Sequence, residues 1–330
     1  MSLTYNTFRS KIFSTIVTAS CIASLSHAQS RLLVSDLSGG NVASFSYPDG
    51  KESTLFVASG STPLGLSSGM VQMPSGDVLI LSHNDRSVLR YNGQSGDYMG
   101  YFVLPAPGGS DEADLMSYGP DGHLYVTSHA NDNVLKFDGD TGSSLGVAAN
   151  NVDAIDIAFG PTGTLFVSDY AGNRIAMYDP TDGNHLGDIT ATSATPIMGA
   201  YGLATDSSGN LYLSSDLTNS IVRIDIATLS TSVFVSPGDG GLSRPRDIIF
   251  DDEGNLLVAS SGSESVLRYD MLGNFMDVLI SPDASAGLTG VFGLLLYTPG
   301  PECQADFNND GILNFFDISI FLQSYTAGCP

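Results

Sequence analysis

One stretch of sequence recurs five times along the middle of the chain, and its period constrains the fold more tightly than composition does. The copies are "GDVLILSHNDRSVLRY" from Gly76, "GHLYVTSHANDNVLKF" from Gly122, "GTLFVSDYAGNRIAMY" from Gly163, "GNLYLSSDLTNSIVRI" from Gly209 and "GNLLVASSGSESVLRY" from Gly254. Their leading glycines are 46, 41, 46 and 45 residues apart. Each copy reads as an apolar strand, a polar turn and a second strand. The strand-ending apolar residue and the next strand's first apolar residue are always eight apart: Ile80/Val88, Val126/Val134, Val167/Ile175, Leu213/Ile221 and Val258/Val266. "RLLVSDLSGGNVASF", from Arg31, keeps that spacing with Val34 and Val42 and makes a sixth unit. Self-similarity at this period marks radially repeated or stacked units.

The residues before each glycine suit a turn between strands: "MPSG", "GPDG", "GPTG", "DSSG" and "DDEG". In "GPDG", Pro supplies φ near −65° and Gly tolerates φ > 0. Another short apolar strand precedes each turn, such as Asp247 to Phe250, and a fourth follows each copy, such as Tyr98 to Val103. Four short strands in about 45 residues predict an all-β, six-bladed β-propeller. The runs "LYV", "LFV" and "LLV" are apolar on successive residues. That pattern is expected where both sheet faces pack on neighbouring blades. The first unit lacks an inner strand, and "FGLLLYTPG" (Phe292 to Gly300) matches the inner strand and turn "YGLATDSSG" (Tyr201 to Gly209). The C-terminal strand is therefore expected to complete the N-terminal blade and close the ring, leaving no inner edge exposed.

"YGLATDSSGNLYLSSDLTNSIVRID", from Tyr201, resembles NHL-repeat propellers and their relatives, the virginiamycin B lyase and gluconolactonase families, and the resemblance spans roughly residues 30 to 300. It implies the ring, while unrelated functions share that ring. It also implies a functional site at the mouth of the central channel. Two successive units place His at the third residue beyond the strand, His83 and His129; the equivalents are Tyr170, Asp216, Ser261 and Leu37. Asp36 and Asp169 stand one residue earlier, and Asp114, Asp153, Asp156 and the cluster "RPRD" (Arg244 to Asp247) precede inner strands. His, Asp and Tyr converging on one opening hold a metal or move a proton. His83, His129, Tyr170, Asp216 and Asp247 are thus the channel candidates, with a divalent metal there as the cofactor a lyase or lactonase would need. The plainer reading makes His83 and His129 satisfied polar turn residues. No nucleophile elbow, phosphate-cradling glycine loop or zinc motif appears.

The ends of the chain read differently. With 12 Lys and Arg against 35 Asp and Glu, the net charge is −23. Such a surface repels nucleic acid and anionic lipid. It suits solubility or a salty habitat, and it also attracts divalent cations. Residues 1–28 read as a signal peptide: Arg9 and Lys11, an apolar run from Ile12 to Leu25, then "SHA" with cleavage expected before Gln29. A rival reading makes Cys21 a lipidated cysteine, although Thr18 stands where a lipobox wants a branched apolar residue. No other apolar run approaches the ~20 residues of a membrane helix. The expected location is secreted or cell-surface associated. After cleavage only Cys303 and Cys329 remain, and in an oxidising compartment they most simply pair with each other.

Those cysteines flank "ADFNNDGILNFFDISIFL" (Ala305 to Leu322). Twelve positions, Asp306 to Asp317, fit a calcium loop: Asp306, Asn308 and Asp310 at one, three and five, then Gly311 for the bend. The Ile312 carbonyl, Asn314 and Asp317 follow at seven, nine and twelve. The loop with "FFDISIFLQSY" resembles half of a dockerin, and the ending "GCP" resembles the GC-type dockerin-like tails of planctomycete-type exported proteins. Position twelve is Asp instead of Glu, and a second loop is absent. A Cys303–Cys329 disulfide would add about 3 kcal/mol in place of the missing repeat. The resemblance implies residues 29–300 as propeller and 301–330 as a calcium-binding tail that meets a cell-surface or cohesin-like receptor, leaving the ring for an unknown protein or glycan ligand.

Overall fold

The computed structural model describes residues 30–83, 87–105, 112–284 and 288–299, together with Ile318, Ser319 and Leu322. The expected signal peptide, the Cys303–Cys329 pair and the calcium loop Asp306 to Asp317 lie outside the described residues.

Six antiparallel sheets of four strands each form the blades. The second blade has the order inferred from the repeat: Ser67–Gln72, Val78–Ser82, Ser87–Tyr91 and Tyr98–Val103. The first blade draws from both ends of the ring: Val291–Tyr297 pairs with Arg31–Asp36, which pairs with Val42–Ser46 and then Ser53–Val57. The expected closure by the C-terminal strand is present. The other inner strands are Met116–Tyr118, Ala154–Phe159, Ala200–Thr205 and Pro245–Phe250. Each inner strand packs against the inner strand of the next blade, and the last meets the first, so six strands wall a central channel.

The successive apolar residues of the second strands are explained by this packing. Val78–Ser82, Leu124–Ser128, Leu165–Asp169, Leu211–Ser215 and Leu256–Ser260 are buried at every residue. The hydrophobic clusters lie between blades: Leu32 and Phe45 of the first blade pack with Leu257 and Val266 of the sixth. Each such side chain contributes about 1.5–3 kcal/mol on full burial.

The inner strands carry a shared irregularity. Ser67 pairs with Ser82 and Met70 with Ile80, three steps against two. The same step occurs at Ala154/Ile157, Ala200/Leu203, Pro245/Ile248 and on Val291–Tyr297. One extra residue makes a β-bulge, and its amide lacks a ladder partner. In three of these blades a hydroxyl on the second strand takes that amide, while in the second blade Gly69 N donates to the Asp114 carbonyl (2.8 Å). Gly293 N donates to Ser35 Oγ (2.8 Å), Asp156 N to Ser168 Oγ (2.9 Å) and Gly202 N to Ser214 Oγ (2.7 Å). Leu115 N donates to Thr127 Oγ1 at 3.2 Å in the third blade. The bulge residues of five blades are Ser68/Gly69, Ile155/Asp156, Tyr201/Gly202, Arg246/Asp247 and Phe292/Gly293, and Asp114/Leu115 stand at the equivalent place just before Met116–Tyr118 in the third.

Candidate functional site: the channel mouth

The mouth is the end at which inner strands begin and second strands finish. Backbone bonds tie these two sets of turns together: His83 N to Leu66 O, Tyr170 N to Asp153 O, Asp216 N to Gly199 O and Ser261 N to Arg244 O, at 2.9–3.2 Å. The sequence-derived positions His83, Tyr170, Asp216 and Ser261 are therefore brought to one rim, and His129 joins them beside Asp153 of the following blade.

Asp216 organises one side of this rim. It is fully buried. Its carboxylate accepts from Tyr170 Oη (3.1 Å) and Arg244 Nε (3.2 Å), with Arg246 Nη1 at 3.5 Å. The Arg246 guanidinium also lies over the Tyr201 ring, 4.2 Å from its centroid. Hydrogen bonding to Asp216 holds the Arg244 guanidinium more firmly protonated than usual. Burial, then the Asp216 charge, pushes the Tyr170 phenol up.

Asp114 organises the other side. Tyr201 Oη donates to its Oδ1 at 3.5 Å, and His83 Nδ1 is 3.9 Å from the same oxygen and 3.2 Å from the Ala113 carbonyl. His129 Nδ1 lies against the Asp153 carboxylate. Burial pushes the Asp114 carboxyl up to about 6, against the opposing pull of His83, His129 and Arg246. Burial, reinforced by Asp114, also raises the Tyr201 phenol well above its ordinary range. An acid poised near neutrality beside an imidazole and a phenol can exchange a proton with a bound molecule.

Beneath the rim the channel is closed. Leu115, Ile155, Tyr201 and Phe292, from four different blades, pack together, joined by Leu37 and Tyr170. Tyr201 meets Tyr170 and Phe292 edge-on at 5.9 and 5.8 Å.

Asp247 lies elsewhere. It belongs to the second residue of a bulge, in the channel wall, and its Oδ2 accepts Leu294 N of the first blade at 2.7 Å. Asp156, two blades earlier, does the same, accepting its neighbour Ile157 N (2.7 Å) and Leu203 N of the next blade (2.6 Å). Tyr201 and Arg246, which link the two sides of the rim, were not singled out by sequence reasoning on their own. The signal available was the match of "YGL" at Tyr201 with "FGL" at Phe292, which puts aromatics at equivalent bulge positions. Among the described residues no group of three His, Cys, Asp or Glu is arranged to hold a metal ion.

No family model matches the chain, and no curated protein matches it. Solved structures do. A chain of the nidogen/laminin complex superposes with a TM-score of 0.63 and 15% identity, covering 80% of this chain and 97% of its own. A protein of unknown function from Bacteroides caccae gives a TM-score of 0.61 at 14% identity, over 81% of this chain and 98% of its own. A catalytically inactive virginiamycin B lyase from Staphylococcus aureus, solved with quinupristin, gives 0.58 at 14% identity, over 83% and 94%. At these identities the likeness establishes the propeller fold alone.

Proposed function

We infer that this protein is an exported binding module whose ring docks a protein, glycan or surface component at the channel mouth, held in place through a calcium-loaded, dockerin-like tail. The observation that carries this reading is Arg244. Its backbone is left-handed (φ 49°), a conformation that costs a non-glycine residue roughly 1 kcal/mol. Asn219 Oδ1 fixes that turn by accepting Arg244 N at 2.7 Å, and the guanidinium stands half-exposed above Asp216. A strained turn that presents a pre-oriented cation, beside Tyr170 and over a closed channel, suits recognition of an anionic or hydroxyl-rich surface. A structure similar to this ring comes from a protein–protein complex, nidogen with laminin.

A second reading is favoured by Asp114. A carboxyl raised to about 6 beside His83 and Tyr201 is suited to proton transfer in a lyase or lactonase, although no described trio of His, Cys, Asp or Glu is arranged to hold the metal such an enzyme would need. A structure similar to this ring is a virginiamycin B lyase.

Calcium calorimetry on the full exported chain tests the two together. The binding-module reading expects one site, lost in Asp306→Ala. A divalent-ion site that survives Asp306→Ala and disappears in His129→Ala or Asp114→Asn moves the assignment to the enzyme class. On an array of glycans and surface proteins, a mouth ligand should be lost in Arg244→Ala; ligands indifferent to that change contradict docking at the mouth.

A further inference from the structure

On the far side of the Ile155–Tyr201–Phe292 layer the channel holds a cavity of about 230 Å³. Aliphatic side chains such as Met70, Met116, Leu203 and Leu294 line it, and two carboxyls, Asp156 and Asp247, stand in its wall. Ile249, Phe250, Leu295 and Leu296 are only part-buried at the end away from the mouth, so the cavity opens there.

The two acids are not a feature that every blade shares, although they do hold the Leu203 and Leu294 amides of the next blade. The equivalent positions of the other four blades are Gly69, Leu115, Gly202 and Gly293, and the ring closes there without a carboxylate. The acids are also costly, because an aliphatic cavity opposes their ionisation. Each accepts backbone amides, yet a carboxylate offers about four lone-pair sites, so both keep accepting capacity. They feel one another: after burial, the Asp247 charge is the next cause pushing Asp156 up. A hard divalent ion wants about six to eight oxygens. Two carboxyls already engaged by amides, in hydrocarbon walls, offer too few. An organic ammonium needs few acceptors and gains from burying its hydrocarbon part.

We propose that this cavity binds a small organic ammonium cation, its charged head between Asp156 and Asp247 and its aliphatic body against Met70, Met116 and Leu203. The same chemistry is offered by a free alkylamine and by a lysine side chain of a partner. Binding draws the acid pair toward ionisation, so a proton leaves as the cation enters. Asp114 also acts on Asp156, while Arg246, next to Asp247 in sequence, turns its guanidinium to Asp216.

The test is calorimetry of the full chain with n-butylammonium, n-butanol and a lysine-bearing peptide. The proposal expects butylammonium to bind with proton release, measured in buffers of different ionisation enthalpy, and to bind more tightly at pH 8 than at pH 5. Butanol, of the same shape but neutral, should bind at least roughly tenfold more weakly. Asp247→Asn, an isosteric change, should weaken butylammonium by a similar factor, and Leu203→Trp should remove binding by filling the cavity. A peptide that outcompetes butylammonium identifies the partner-lysine source; the reverse order identifies a free amine. Equal binding of butanol and butylammonium would overturn the proposal, as would no binding of either cation by folded protein. Sodium or calcium binding that is lost in Asp247→Asn, with no amine binding, would overturn it in favour of a metal site.

Discussion

At the mouth, Asp216 is fully buried and meets two guanidinium groups and a phenol; in the channel wall of the next blade, Asp247 is almost as buried and, among the described residues, its hydrogen bonds come from backbone amides. The difference lies in the partner. Asp216 has cations that compensate its charge. Asp247 does not, and burial pushes its carboxyl up to about 7 even though the Leu294 and Ile248 amides pull it down. Asp156 is raised well above its ordinary range for the same reason, with Asp247 adding to it. Around Asp216 the mouth thus carries compensated charge, and the wall holds acids that keep a proton.

The largest test of that contrast removes the compensating carboxylate. Asp216→Ala should cost about 3 kcal/mol, because Arg246, itself mostly buried, loses its counter-charge. Urea unfolding measures this, and a cost below about 1 kcal/mol would break the account of the mouth. In the wall, Gly202→Ala should cost about 2 kcal/mol: a Cβ there would lie 2.3 Å from the Arg246 carbonyl oxygen of the next inner strand. Leu115 and Asp156 carry side chains at the equivalent position, so a neutral result would mean that the blades approach less closely than described. Ser168→Ala, which strips the hydroxyl that receives the Asp156 amide, should cost about 1 kcal/mol by thermal denaturation. His129→Ala should stay within about 0.5 kcal/mol in the same assay, since its ring is partly exposed on the rim. A larger loss would make His129 structural and weaken its candidacy for proton transfer.

The blades were legible because two facts repeat without exception: the eight-residue spacing from Val34/Val42 to Val258/Val266, and the apolar run of every second strand. Ring closure was legible because "FGLLLYTPG" copies an inner strand and its turn. The bulge was not. It inserts one residue into strands of six or seven, too short to show a break in periodicity, and its hydroxyl partners Ser35, Ser168 and Ser214 look like ordinary strand-end polar residues. That is why Asp247 and Asp156 read as mouth residues beside Asp153, although one extra residue carries them into the wall. The rim positions themselves were found, but their pairing depends on contacts across blades, such as Arg246 with Asp216 and Tyr201 with Asp114, that no local spacing encodes.

The most direct measurement is stability against pH for the wild type and the Asp156→Asn/Asp247→Asn double variant. In the unfolded chain an Asp gives up its proton near pH 4, whereas folded Asp247 keeps its own to about 7. Folding therefore favours the protonated form, and the contribution of these acids to stability is full below about pH 4. It falls as pH rises through about 7, with Asp156 extending the loss further. The account predicts that urea unfolding shows the wild type losing stability relative to the double variant between pH 4 and pH 8. Parallel curves for the two proteins would contradict it, placing the wall acids in the same compensated state as Asp216.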